Sequence, residues 1–130
     1  MADKRMGALR LLLVIDAAAL LLLGLAFVLA PQLTAGAFGF KGLSSEFAYL
    51  IGLWGCALAT LSAGYAAAAF NPLRHTLWIQ VGIARGALEC LWGLCGLLQG
   101  TVTWHQAGFG TVLSGLVALA YIVLYPRPHN

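Results

Sequence analysis

Charged residues are scarce in this chain of 130 residues: they make up 8% of it, whereas hydrophobic residues make up 62%. An ordinary soluble domain is about 25% charged and about 45–50% apolar. The composition therefore excludes a soluble globular domain and indicates an integral membrane protein surrounded by the lipid bilayer. A membrane-spanning helix needs about 20 apolar residues, so the chain has room for about four such helices and for no second domain.

The chain also lacks the patterns that several kinds of chemistry require. Its basic residues form no run with interleaved aromatics, which excludes nucleic acid as a partner. Cys56, Cys90 and Cys95 lie in apolar segments without CxxC spacing, and we interpret them as buried free thiols. Serine-nucleophile, Walker and HExxH motifs are missing, and no histidine pair is placed to hold a haem. We expect no metal and no cofactor, and these absences favour a non-enzymatic protein.

Four apolar segments predict an all-α fold, a single-domain four-helix up-down bundle in the membrane. The predicted helices cover residues 7–30, 47–70, 76–98 and 107–125. Prolines end the first, second and fourth helices, because proline lacks the amide proton that a continuing helix needs. Gln99-Gly100 ends the third helix. Residues 31–46, between the first two helices, are expected to form a short interfacial segment.

Small residues mark one face of the second predicted helix. Gly52, Cys56, Ala59 and Ala63 recur at spacings of three and four. In lipid, small side chains let helix backbones approach closely and gain packing contacts. The pattern predicts that this helix packs centrally through that stripe.

The distribution of basic residues predicts the orientation. Five of them fall on one predicted side of the membrane: Lys4, Arg5, Arg10, Arg74 and Arg127. Only Lys41 falls on the other side. Because basic loops stay in the cytoplasm, we expect both termini to be cytoplasmic, in a bacterial inner (plasma) membrane.

Three ionisable residues lie deep inside the predicted spans: Asp16, Arg85 and Glu89. Each costs at least about 2.5 kcal/mol at the centre of a membrane helix, so all three are expected to be partnered inside the bundle. Arg85 and Glu89 are four residues apart and share a helix face. A rise of about 1.5 Å per residue puts Asp16 and Arg85 at nearly the same depth. The sequence therefore predicts a buried ion cluster with Arg85 at its centre.

Tryptophans accompany this cluster. Trp78 and Trp92 share the helix face of Arg85, and Trp54 of the second helix is predicted at the same depth as Trp92. Indole walls around an ion cluster suit an amphipathic ligand with a polar head, so these residues are candidates for a binding site. Two other interpretations stay open. The charges would serve only to fix the helix register, or the glycines on this face would bring a neighbouring helix close and leave no cavity. Trp78 and Trp104 also suit membrane-interface anchors.

Several segments resemble the small bacterial four-helix membrane proteins of the DoxX-like group. They are GLAFVLAP in the first helix, LIGLWGCALATLSAGYAAAAFNP in the second, and RH followed by VGIARGALE in the third. DoxX is a subunit of a quinone-reducing enzyme. The resemblance implies a quinone-like or lipid-like ligand or an oxidoreductase partner, and it assigns no catalytic residue.

Two functions of different kinds are consistent with these features. The first is a non-enzymatic binding module or accessory subunit, acting in a larger membrane complex or as a homo-oligomer. The second is a small transporter in which Asp16 or Glu89 exchanges protons for a substrate. Arg85 counts against the transporter, because a fixed neighbouring cation favours the ionised form of a carboxyl group over its protonated form.

Overall fold

The computed structural model describes residues 2–127, and these residues form five helices and no strand. The helices are α1 (Ala2–Leu29), α2 (Pro31–Ala37), α3 (Ser45–Phe70), α4 (Thr76–Gln99) and α5 (Trp104–Leu124). Four of them, all except the short α2, are long and apolar enough to cross a membrane. The prediction of an all-α chain with four apolar membrane-type helices is confirmed.

Two helix starts differ from the predicted ones. Helix α1 begins at Ala2 rather than near residue 7, because hydropathy marks where apolar residues begin, whereas the polar segment before them also favours a helix. Helix α5 begins at Trp104 rather than at residue 107. There the backbone N–H of Thr103 donates to Gln106 Oε1 at 2.9 Å, which is half of a capping box.

The expected interfacial segment contains a further helix, α2. Pro31 occupies its first turn, where a missing amide proton costs nothing. The Thr34 hydroxyl donates to the carbonyl oxygens of Ala26 and Ala30, at 3.0 and 2.8 Å, and so ties α2 to the end of α1. Helix α2 and the turn between α4 and α5 lie at the same end of the molecule, which we call the loop end. The opposite end, called the terminal end, holds the start of α1, the turn between α3 and α4, and the end of α5.

The long helices associate as two pairs, α1 with α3 and α4 with α5. In the first pair the backbones meet at Gly24 and Gly55. A Cβ built on Gly24 would lie 2.7 Å from the Gly55 carbonyl oxygen, and one on Gly55 would lie 2.6 Å from the Gly24 carbonyl oxygen. Only glycine at both positions permits this approach.

The predicted stripe on the second apolar helix, now α3, is wrong at two positions. Cys56 and Ala63 are exposed on the outside of the molecule, whereas Gly55, Leu58 and Ser62 are buried. Small residues occur on several faces of this helix, so their spacing alone did not identify the face that meets α1. The three cysteines are free, as predicted, but Cys90 is half-buried and Cys56 and Cys95 are exposed, so the prediction that they are buried is wrong.

In the second pair, side chains and backbone of α5 pack against glycines of α4. Gly82 lies against the ring of Tyr121, and Gly86 lies against the backbone of Ser114 and against Ala118. This is the use of the α4 glycines that the sequence left as an alternative: they bring a neighbouring helix close.

The two pairs join near the terminal end, where the largest fully buried side chains include Leu9, Leu13, Tyr65, Ile79 and Tyr121. The Arg5 guanidinium donates to the carbonyl oxygens of Val123 and Tyr125 and so satisfies the end of α5. At the loop end, Gln106 Nε2 donates to the Gly39 carbonyl oxygen at 3.3 Å, which links the segment after α2 to the start of α5.

The glycine contact between α1 and α3 gives a stability prediction. We expect Gly55→Ala to destabilise the protein by about 1–3 kcal/mol, because the new methyl group would overlap the backbone of α1. Thermal unfolding in a neutral detergent measures the effect. The matched control is Gly110→Ala, since no atom of the described residues lies within 4 Å of a Cβ at Gly110. Equal melting temperatures for the two variants would contradict the close approach.

Candidate functional site

Four side chains, one from each long helix, meet inside the bundle: Asp16 of α1, Tyr65 of α3, Arg85 of α4 and Tyr121 of α5. We call them the central network. Arg85 Nη2 donates to both oxygens of the Asp16 carboxylate, at 2.7 Å each. The Tyr121 hydroxyl donates to Asp16 Oδ2 at 2.8 Å. The Asp16 carboxylate is therefore held by partners from two different helices.

Tyr65 completes the central network on the other side of Arg85. Its hydroxyl oxygen accepts a hydrogen bond from Arg85 Nε at 3.2 Å, and the guanidinium carbon lies 5.3 Å from the centroid of its ring. The rings of Tyr65 and Tyr121 are stacked, with centroids 6.3 Å apart. Among the described residues, every buried side-chain nitrogen or oxygen has a hydrogen-bond partner. Such full pairing is what makes a charged group tolerable inside a membrane protein.

Glu89 lies at the edge of the central network, one helical turn from Arg85 towards the loop end. Its Oε1 is 3.7 Å from Arg85 Nη1, and its Oε2 accepts a hydrogen bond from the Ser114 hydroxyl at 3.0 Å. The Glu89 side chain is 39% exposed, against 8% for Asp16. The structure thus brings the three predicted charged residues together but gives them different roles: Asp16 is enclosed, and Glu89 is open on one side.

The three predicted tryptophans are not gathered around the cluster. Trp78 packs edge-on against Tyr65 with ring centroids 5.8 Å apart, at the terminal-end side of the central network. Trp54 packs on Phe27 at 5.1 Å but is 52% exposed, and Trp92 is 81% exposed. The indoles therefore do not enclose a pocket above the charges, which corrects the expectation of a walled cavity.

The uncovered tryptophans nevertheless lie on the inner faces of their helices. At about 100° per residue, Trp54 lies within about 20° of Tyr65 around α3, and Trp92 lies within about 20° of Arg85 around α4. On α5, Gly110 lies within about 20° of Tyr121 around the helix axis, and Gly110 is also exposed. By this angle these positions point to the same side of their helices as the central network, but they are exposed, whereas Tyr65 and Tyr121, nearer the terminal end, are buried.

We define the open cleft as the exposed, inward-pointing positions towards the loop end: Trp54 on α3, Glu89 and Trp92 on α4, and Gly110 on α5. Helices α3 and α4 make far fewer contacts with each other than each makes with its own paired helix, which leaves the cleft open along their side. Its inner end is the central network.

Tyr65, Tyr121 and Ser114 were not identified from the sequence as site residues. Their signal was a hydroxyl group inside an apolar helix, since a buried tyrosine or serine needs a hydrogen-bond partner. Several other hydroxyl-bearing residues share that property, such as Thr60, which bonds to its own helix backbone at Cys56. Only the packed helices show which hydroxyls reach the charges.

No family model, curated protein or solved structure matches this chain. Within residues 2–127 there is also no group of three or more histidine, cysteine or acidic side chains that suits a metal ion. The central network and the open cleft are therefore the features from which function is inferred.

The ion pair gives a prediction about coupling. We expect Arg85→Gln to destabilise the protein by about 3 kcal/mol, because it leaves the Asp16 charge buried without a cation. The double variant Asp16→Asn with Arg85→Gln should be more stable than Arg85→Gln alone. Unfolding titrations of the single and double variants in mixed micelles measure both effects, with the exposed Arg74→Gln as the control for loss of a positive charge. Simple additivity of the two single changes would contradict the direct pairing.

The tyrosine contact gives a second prediction. Tyr121→Phe removes the hydroxyl that donates to Asp16 and keeps the ring that fills the space beside Gly82. We expect a loss of about 1.5–3 kcal/mol in unfolding free energy, the usual worth of a hydrogen bond to a charged group. Tyr49→Phe, at an exposed tyrosine, is the matched control and should change the stability little. Equal stability of the two variants would show that the Tyr121 hydroxyl is dispensable.

Proposed function

We propose that this protein is a non-enzymatic binding module of a bacterial inner membrane, and that the open cleft binds an amphipathic small molecule. The observation that carries the proposal is the inner face of α4, where the side chain of Arg85 is 15% exposed and Trp92, about two turns further along, is 81% exposed. An uncovered inner face with a half-exposed carboxylate beside it is a surface that a ligand would complete.

The resemblance to the DoxX-like group supports a quinone-like or lipid-like molecule as the ligand. The protein would act as an accessory subunit of a larger membrane complex, because a small module that binds a membrane-soluble molecule can deliver that molecule to a partner enzyme. The proposed topology is the up-down bundle with both termini cytoplasmic. In that topology the open cleft lies in the outer half of the membrane.

A transporter that uses Glu89 is the second candidate, and one observation favours it. Glu89 lies 3.7 Å from Arg85 and its side chain is 39% exposed. At this distance Arg85 opposes protonation of the Glu89 carboxylate only weakly, so proton exchange at Glu89 is less hindered. Asp16 lies 2.7 Å from Arg85, so the fixed cation strongly favours its ionised form and counts against proton exchange there. A transporter should confer uptake or resistance when expressed alone, whereas an accessory subunit should co-purify with a larger complex.

The binding proposal is tested by filling the open cleft. We expect Gly110→Leu to fold normally and to lose the small molecules that co-purify with the wild-type protein from native membranes. Mass spectrometry of the detergent-solubilised protein measures them. The control is Ala87→Leu, which adds the same side chain at an exposed position on another face of α4. Identical small-molecule profiles for wild type and both variants would contradict a ligand in the cleft.

The proposed topology gives a labelling prediction. In a variant without Cys56, Cys90 and Cys95, a single new thiol at Lys41 should react with a membrane-impermeant maleimide added outside intact cells. A thiol at Arg127 should react only after the membrane is permeabilised. The basic residues on the terminal side are the physical reason. The reverse labelling pattern would place both termini outside.

A further inference from the structure

The charges around the open cleft do not cancel. Asp16, Arg85 and Glu89 together carry one positive and two negative charges in their ionised forms, and Arg85 Nη2 donates to both oxygens of Asp16 at 2.7 Å. At 3.7 Å, the Arg85–Glu89 separation is beyond a normal hydrogen bond. The Glu89 carboxylate therefore has one close donor among the described residues, the Ser114 hydroxyl, and one exposed side.

The exposed side of Glu89 adjoins an aromatic surface. Trp92 follows Glu89 by three residues, so it lies about one turn further towards the loop end on the same side of α4. Trp54 lies on the inner face of α3, across the open cleft, with its ring supported by Phe27. Indole rings are the aromatic groups that attract cations most strongly.

The depth of Glu89 limits what can reach it. Ten residues separate it from Gln99 at the end of α4, a distance of about 15 Å along the helix. The amine of a phospholipid headgroup lies at the membrane surface and would not reach this depth. A hydrophobic organic cation, whose charge is shielded by its apolar groups, would reach this depth through the hydrocarbon region and enter sideways, between α3 and α4.

We propose that the open cleft selects hydrophobic organic cations, whose positive charge pairs with Glu89 and whose apolar body lies against Trp92 and Trp54. This inference rests on the proposed function and names the ligand class more narrowly than the quinone-like or lipid-like molecule considered above. A neutral quinone would leave the net negative charge of Asp16, Arg85 and Glu89 unbalanced, whereas an organic cation beside Glu89 balances it.

The test uses two probes of the same shape and opposite charge, tetraphenylphosphonium and tetraphenylborate. Binding of each to the full-length protein in a neutral detergent is measured by equilibrium dialysis, with a short-chain neutral quinone as a third probe. We expect the phosphonium ion to bind at least about tenfold more tightly than the borate, because only its charge complements Glu89.

Three variants localise the binding. Glu89→Gln keeps the size of the side chain and a hydrogen-bond acceptor for Ser114 but removes the charge, and it should weaken phosphonium binding about tenfold. Trp92→Leu should weaken it about threefold to tenfold through loss of the cation–aromatic contact. The control is Glu46→Gln, at an exposed acid in the first turn of α3 outside the cleft, and it should bind like the wild type. Thermal unfolding of each variant shows whether it is folded.

Other outcomes separate this inference from the proposed function. Equal phosphonium binding by wild type and folded Glu89→Gln would overturn the inference. If the neutral quinone binds and Gly110→Leu abolishes that binding, while the phosphonium ion does not bind, the inference fails and the proposed function stands. If no probe binds and Gly110→Leu has no effect on co-purifying molecules, both fail.

Discussion

The ion pair between Arg85 and Asp16 is the contact on which the arrangement of the helices depends. Within the described residues, the backbones of α1 and α4 do not approach each other closely, so this ion pair connects helices that belong to different helix pairs. Tyr65 and Tyr121, from the other two helices, bond to the same two charged groups. In an apolar environment a charge without a partner is unfavourable. Displacing any one of the four helices would remove a partner from one of these buried charged groups and so destabilise the protein. The central network therefore joins the two helix pairs.

The position of the central network explains why one half of the molecule is closed and the other half is open. Tyr65 lies five residues from the end of α3, and Tyr121 lies three residues from the end of α5, so the network is near the terminal end. Large apolar side chains such as Leu9, Leu13 and Ile79 pack tightly around that end. Towards the loop end, the pairs are linked by the hydrogen bond from Gln106 to Gly39, which leaves space beside α3 and α4. Glu89 lies on that side, and its side chain is 39% exposed, against 8% for Asp16.

Particular elements show how far the sequence predicted the structure. The four apolar helices followed from hydropathy and proline positions, and the level depths of Asp16 and Arg85 followed from the rise of an α-helix. The face of α3 that meets α1 did not follow, because small residues lie on more than one side of that helix. Gly55, which the predicted stripe omitted, forms the closest backbone contact with α1, whereas Cys56 is exposed. Spacing restricts the candidates for a packing face, but the shape of the neighbouring helix selects among them.

The sequence by itself determined the class of protein, the number of long helices and the need for Asp16, Arg85 and Glu89 to be partnered, because these depend on composition and on the cost of charge in hydrocarbon. The tertiary structure decided which carboxylate holds Arg85, which hydroxyls complete the central network and whether the tryptophans are enclosed. Those outcomes depend on how four helices are rotated and tilted against one another. A rotation of a few tens of degrees moves a side chain from the interior to the exposed surface. Contacts such as the one between Gly24 and Gly55 set that rotation, and they exist only once the helices have packed.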